Sequence, residues 1–137
     1  MKARGLRILL VEDQPDCANS TKLMLDLWGH EVELVPDGPT ALQAAQAQHP
    51  DVVLLDIGLP GMDGWAVAKL LHDQARGKGP LLVAVTGYGQ PGDYGRSYDS
   101  GIDVHLLKPV DPDGLRRLLD NWQETLAGPH HALLGPE

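Results

Sequence analysis

Short apolar runs recur along the chain at nearly even spacing. They are Ile8-Leu9-Leu10-Val11, Val32-Glu33-Leu34-Val35, Val52-Val53-Leu54-Leu55, Leu81-Leu82-Val83-Ala84-Val85 and Val104-His105-Leu106-Leu107. Most lack the strict alternation of a half-exposed strand, so they predict strands covered on both faces, as in a parallel sheet flanked by helices. The second run alternates in part, which predicts a place nearer an edge. The third is the most uniformly apolar and predicts the central strand.

Helical patterns fill the gaps. Pro15 to Trp28 places Cys17, Thr21, Met24, Leu25 and Trp28 on one stripe, and Gly29 ends it. Pro39 to Gln48 is rich in good helix formers and has Pro in its first turn. Gly64 to Gln74 groups Val67, Ala68, Leu70 and Leu71, and Asp111 to Leu126 opens with an N-cap Asp followed by Pro and continues with Leu115, Leu118, Leu119 and Trp122. The fourth segment, Gln90 to Ser100, contains Pro91, Gly92 and Gly95 and predicts a short or mobile helix. Residues 128–137 hold two Pro and two Gly and predict a flexible tail behind a single domain over 1–127. Five strands alternating with five helices predict a doubly wound, flavodoxin-like α/β fold with a five-stranded parallel sheet in the order 2-1-3-4-5.

Composition narrows the field. Hydrophobic residues make up 42% of the 137 and charged residues 22%, ordinary for a globular domain, and the formal net charge is -8. That sign argues against direct binding to nucleic acid or an anionic membrane and favours cations and basic partner surfaces. A lone cysteine, Cys17, excludes an intramolecular disulfide and suits a reducing cytoplasm. The apolar run after the basic start is too short for a signal peptide or a membrane span.

In a doubly wound sheet, ligands bind beyond the carboxyl ends of the strands. The predicted strands end in Glu12-Asp13, in Pro36-Asp37-Gly38 (a plain turn), in Asp56, in Thr86-Gly87 and in Lys108-Pro109. Three carboxylates at neighbouring strand ends repel one another unless a cation or lysine offsets them. An all-oxygen set without Cys or His suits Mg2+, with Mn2+ as a substitute, rather than zinc. A carboxylate can also attack phosphorus to form an acyl phosphate. Asp56, held rigidly after the central strand, is the candidate nucleophile. Thr86 and Lys108 are candidates for stabilising the phosphoryl oxygens, and Gly87 leaves them room.

Taken jointly, Glu12-Asp13, Asp56 within Asp-Ile-Gly-Leu-Pro-Gly-Met-Asp-Gly, Thr86-Gly87 and Lys108-Pro109 resemble the receiver-domain signature of two-component response regulators, including the chemotaxis regulators. The resemblance runs from about Leu6 to Leu126. It implies that Asp56 is the phosphoacceptor, and that Glu12, Asp13, Asp56 and the backbone carbonyl of Gly58 surround Mg2+. It also implies that Thr86 moves toward the phosphoryl group, that Lys108 pairs with it, and that the Lys108-Pro109 peptide bond is cis. His105 occupies the switch position where relatives usually carry Tyr or Phe. The expectation is a side chain that swings inward as Thr86 moves, coupled less tightly than a large aromatic. Gly58 and Tyr88 stand where the family tunes the phosphoryl lifetime, and Tyr88 is expected to shield the acyl phosphate.

The implied partners are a histidine kinase or histidine phosphotransfer protein, and a downstream protein met by the face of the fourth helical segment, the fifth strand and the fifth helical segment. Turnover of a separate substrate is not expected. The chain reads as a receiver without an attached output module, either free-standing or from a larger protein. The stretch Thr86 to Gly89 and the run Asp103 to Asp111 are similar to receivers of hybrid histidine kinases. Homodimerisation stays open.

Three rivals have specific objections. A flavodoxin-type carrier needs a Gly- and hydroxyl-rich phosphate loop where Glu12-Asp13 stands. A haloacid-dehalogenase-type phosphatase needs a second Asp where Gly58 stands. A receiver-like interaction domain that works without phosphorylation is the closer alternative, kept alive by the missing aromatic at 105 and opposed by the full acidic set. Elsewhere plain structural roles are the default: Asp63-Gly64 as a helix start, Cys17 as a small core residue, His30, His49 and His72 as surface residues, and His130-His131 as part of the tail. The three tryptophans, Trp28, Trp65 and Trp122, are assigned to packing.

Overall fold

The computed structural model describes residues 5–58, 64–75, 79–87 and 101–127. Strands β1 (Arg7–Val11), β2 (Glu31–Val35), β3 (Val52–Asp56), β4 (Leu81–Thr86) and β5 (Val104–Leu107) form one parallel sheet in the order β2-β1-β3-β4-β5. Helices α1 (Pro15–Leu27), α2 (Gly38–Gln48), α3 (Gly64–Gln74) and α4 (Pro112–Ala127) complete the elements among the described residues. The helix expected over Gln90 to Ser100 and the tail expected from Gly128 lie outside them. This is the flavodoxin-like order that the alternation of apolar runs predicts, with β3 central and β2 at an edge.

Alternate residues of each strand enter opposite layers, which is why the runs are continuously apolar. Leu9, Val11, Val53, Leu55, Leu82 and Ala84 pack with Ala41 and Ala44 of α2 and with Val67, Ala68 and Leu71 of α3. Ile8, Leu10, Val52, Leu54, Leu81 and Val83 pack with Leu25 of α1 and with Leu115 and Leu119 of α4. Covering both faces leaves the two ends of the sheet as the natural places for polar chemistry.

Helix boundaries follow local rules. Pro15 opens α1, and Gly29, at φ 95°, turns the chain back into β2 in a conformation that glycine adopts without strain. Asp37, expected to be part of a plain turn, caps α2 by accepting from the Thr40 N–H at 2.9 Å. Asp111 caps α4 through the Gly114 N–H at 3.2 Å. No helix among the described residues is long and apolar enough to cross a membrane.

Three burial expectations are corrected. Cys17 is exposed rather than in the core. The first turn of α1 stands past the end of β1, so the residue looks toward Glu12 and not toward the sheet. Leu70 is 46% exposed, because α3 turns Val67, Ala68 and Leu71 inward and leaves position 70 on its flank. His30 is buried rather than superficial. Its Nδ1 accepts the Leu6 N–H at 3.0 Å and fastens the start of β1 to the α1–β2 turn. Burial is the main reason its pKa lies below the ordinary histidine value, with Asp120 opposing and Arg116 adding to the depression.

Candidate functional site at the carboxyl rim of the sheet

Register brings the site together. Val11 pairs with Leu55, so the next residues, Glu12 and Asp56, emerge side by side from β1 and β3. These two strands flank the point where strand order reverses. Asp56 pairs with Val85, which places Thr86 one step along the rim, and Thr86 pairs with Leu107, which places Lys108 one step further. Main-chain bonds continue the ladder past the strand ends: Glu12 N–H donates to the Val35 carbonyl at 3.0 Å, Ile57 N–H to Val85 at 3.0 Å and Lys108 N–H to Thr86 at 2.8 Å.

The carboxylates converge. Glu12, Asp13 and Asp56 each offer an oxygen within 4.8 Å of the others. Glu12 and Asp56 are buried, at 6% and 8% exposure, while Asp13 is half-buried. Glu12 Oε2 accepts the Gln14 N–H at 3.2 Å, and Asp56 Oδ1 accepts the Gly58 N–H at 2.9 Å. Lys108 Nζ donates to the remaining oxygens, Glu12 Oε1 at 3.1 Å and Asp56 Oδ2 at 3.2 Å. Burial by itself would pull the Lys108 pKa down. The hydrogen bonds and charges of Glu12 and Asp56 outweigh it and hold the ammonium above its ordinary value. Lysine 108 therefore remains charged throughout the physiological range. One cation still leaves a cluster of three acids short of positive charge.

That shortfall is the test of fit for a metal. The donors are all carboxylate oxygens, gathered at one point, partly dehydrated and without sulfur or imidazole among them, which is the chemistry of a hard divalent cation. The Asp13 carboxylate engages in no hydrogen bond or ion pair among the described residues, so it is available as a ligand. The Lys108-Pro109 peptide bond is cis. Residues 59–63, among them Asp63, and Tyr88 lie outside the described residues.

Two further features support the rim. Gly64 opens α3 against the residue that follows Asp56: a Cβ there would meet the Ile57 Cα at 2.7 Å and its carbonyl oxygen at 2.8 Å. The helix-start reading of this glycine is thus correct but incomplete, since only glycine lets α3 approach the backbone that carries the site. Beside the acids, a cleft of roughly 400 Å³ runs between α1 and the start of α4, lined by Met24, Leu54, Leu106, Val110 and Leu115. Cys17 stands on its rim, where burial and then the Glu12 carboxylate push its thiol pKa up.

On the other side of β4, the buried Thr86 side chain meets His105. Thr86 Oγ1 and His105 Nε2 are 2.9 Å apart, and the imidazole stands edge-on to Trp65, with ring centroids 6.1 Å apart. Trp65 was assigned to packing from the sequence, and it does pack. Its contact with His105 joins α3 to β5, and helix periodicity says nothing about such pairs.

Comparison with known proteins places the chain among signalling modules. A family profile described as the response regulator receiver domain matches residues 8–120. The response regulator PleD of Caulobacter vibrioides is 36% identical over 105 residues, which are 77% of this chain and 23% of that protein. The chain therefore spans about a quarter of that relative's length. Among solved structures, the receiver domain of a sensor histidine kinase from Pseudomonas aeruginosa, which has a magnesium ion coordinated in its active-site cleft, is 34% identical, with a TM-score of 0.78 over 87% of this chain and 98% of that one. A chemotaxis response regulator of Vibrio cholerae is 27% identical, with a TM-score of 0.77 over 86% of this chain and 98% of that one.

Proposed function

The chain belongs to the response regulator receiver domain family of two-component signalling, and on that premise we propose that it accepts a phosphoryl group on Asp56 from the phosphohistidine of a histidine kinase or histidine phosphotransfer protein. The observation that carries the reading is the convergence of Glu12, Asp13 and Asp56 with Lys108 bound between two of them. A carboxylate oxygen of Asp56 attacks phosphorus, the new O–P bond forms as the donor's N–P bond breaks, and the electron pair returns to the donor imidazole.

Glu12, Asp13, Asp56 and the Gly58 carbonyl are the proposed ligands of Mg2+, for which Mn2+ would substitute. Neutralising charge on the phosphoryl oxygens is what the cation supplies when bound. Lys108 already points at Asp56 and needs only a short excursion to follow charge onto the phosphoryl group. The Gly58 N–H fixes the orientation of the carboxylate. Thr86 supplies a hydroxyl one strand away, and its displacement carries the state of Asp56 toward β5 and the proposed downstream face beside α4; the segment 90–100 expected to share that face lies outside the described residues. The chemistry is performed on the protein itself, without turnover of a separate substrate, and the proposed setting is the cytoplasm. The phosphorylation-independent alternative is not favoured, because acids, lysine and threonine stand together at one rim.

The test is incubation with acetyl phosphate and Mg2+ followed by intact-mass measurement. Wild type should gain one phosphoryl group, Asp56→Asn should gain none, and chelation of the metal should abolish the gain. Equal labelling of Asp56→Asn would refute the assignment.

A further inference from the structure

We infer that His105 is a latch on Thr86: in the unmodified protein its imidazole takes the hydroxyl proton that the phosphorylated state needs. The inference rests on the proposed role of Asp56 and Thr86 and adds a direction to it, because it makes the switch side chain a restraint to be broken rather than a filler of vacated space.

The register pairs Ala84 with His105 and Thr86 with Leu107, so His105 and Thr86 lie diagonally across β4 and β5 on the face that α3 covers. The gap of 2.9 Å between Oγ1 and Nε2 is a full hydrogen bond. Its polarity follows from burial. Thr86 is 2% exposed, and a hydroxyl proton shut away from water must point at an acceptor. Among the described residues, Nε2 is the atom that Oγ1 meets at hydrogen-bond distance. The latch requires the neutral tautomer, with the Nε2 lone pair on Thr86 and the ring proton on Nδ1. Trp65 stands edge-on against the ring and limits its rotation away from this contact.

Phosphoryl oxygens can only accept. For Thr86 to bind one, its proton must leave Nε2, so one proton is contested by two acceptors. The latch biases the domain toward its resting arrangement by the worth of a neutral hydrogen bond, which corresponds to roughly twofold to tenfold in an equilibrium constant. A phenylalanine at 105 keeps an aromatic ring beside Trp65 but offers Thr86 no lone pair. This chain should therefore become easier to activate, not harder, when His105 is replaced by Phe.

The experiment has two arms. In the first, affinity for beryllofluoride with Mg2+, a mimic of the phosphoryl group, is measured for wild type, His105→Phe, Thr86→Val and the double variant. Expected are binding about twofold to tenfold tighter in His105→Phe and no effect of that replacement in the Thr86→Val background. Equal or weaker binding in folded His105→Phe, or a gain that persists without the threonine hydroxyl, overturns the latch. In the second arm, 15N resonances of the His105 ring are recorded in the unloaded chain. An unprotonated Nε2 whose resonance moves in Thr86→Val is expected, and a protonated or unmoved Nε2 overturns the inference. Failure of wild type to bind beryllofluoride would count against the phosphoryl-acceptor reading instead, while the imidazole resonances would still decide the latch.

Discussion

Asp51 and Asp103 stand at the amino end of the sheet, Asp13 and Asp56 at its carboxyl end, and the two pairs are used in opposite ways. At the amino rim, the Asp51 carboxylate accepts the Arg7 N–H at 2.8 Å, and its carbonyl receives the Trp122 indole at 2.9 Å and the Leu81 N–H at 3.0 Å. Asp103 accepts the Leu82 N–H at 2.8 Å and returns its own N–H to the Leu82 carbonyl at the same distance. Each of these two carboxylates is met by a main-chain donor from a neighbouring strand, so it acts as a fastening. At the carboxyl rim, Glu12, Asp13 and Asp56 face one another across less than 5 Å, and one lysine bridges Glu12 and Asp56. Asp51 and Asp103 tie neighbouring strands together, whereas the carboxylates of Asp13 and Asp56 are gathered with Glu12 at one point, the arrangement that the proposed chemistry needs.

The sharpest way to break this contrast is to neutralise one acid at each rim. Asp13→Asn removes a proposed ligand but leaves the Lys108 contacts untouched. Its Mg2+ affinity, read by calorimetry, should fall at least the roughly tenfold to hundredfold that disturbing a metal's surroundings usually costs. In metal-free buffer the same variant should be more stable than wild type by about 1–2 kcal/mol, because one member of a repelling set is gone. Asp51→Ala should do the reverse, leaving Mg2+ affinity unchanged and costing about 1 kcal/mol in chemical denaturation. If Asp13→Asn destabilised the metal-free protein, the carboxyl rim would be a fastening like the other.

A smaller effect tests the amino rim alone. Trp122 is the side chain by which α4 grips the main chain ahead of β3. Trp122→Phe keeps most of the ring area and loses the indole N–H, so the cost should be about 1 kcal/mol, with beryllofluoride binding unchanged. A variant that keeps wild-type stability but binds the mimic differently would mean the two rims communicate through α4.

The carboxyl rim was legible in the sequence because strands announce themselves as apolar runs, and the residue after each run must then lie at a known edge of the sheet. Asp56, Thr86 and Lys108 needed no more than that. The contacts that cross between elements were not legible. His30 looks like a polar residue in a turn, and only the return of β1 brings the Leu6 N–H to its ring. Cys17 fits the apolar stripe of α1 by periodicity, yet periodicity does not say where the sheet beneath the helix ends. The bond between His105 and Thr86 depends on strand register, which one residue of slippage would have destroyed.

The least of the expected effects is a pH dependence at the amino rim. His30 accepts the Leu6 N–H through Nδ1, so protonation there would cost the bond, and burial already holds its pKa below the ordinary value. As pH falls below about 6.5, the unfolded chain takes up the proton before the folded chain does. The stability contributed by this histidine is therefore complete above that value and is lost as pH falls through the depressed folded pKa. His30→Gln keeps an acceptor but does not titrate. Between pH of about 7.5 and 5.5, the urea midpoint of wild type should fall more than that of the variant. Parallel curves would mean that the imidazole at the amino rim is not held neutral by the fold, and that its bond to Leu6 survives protonation in some other geometry.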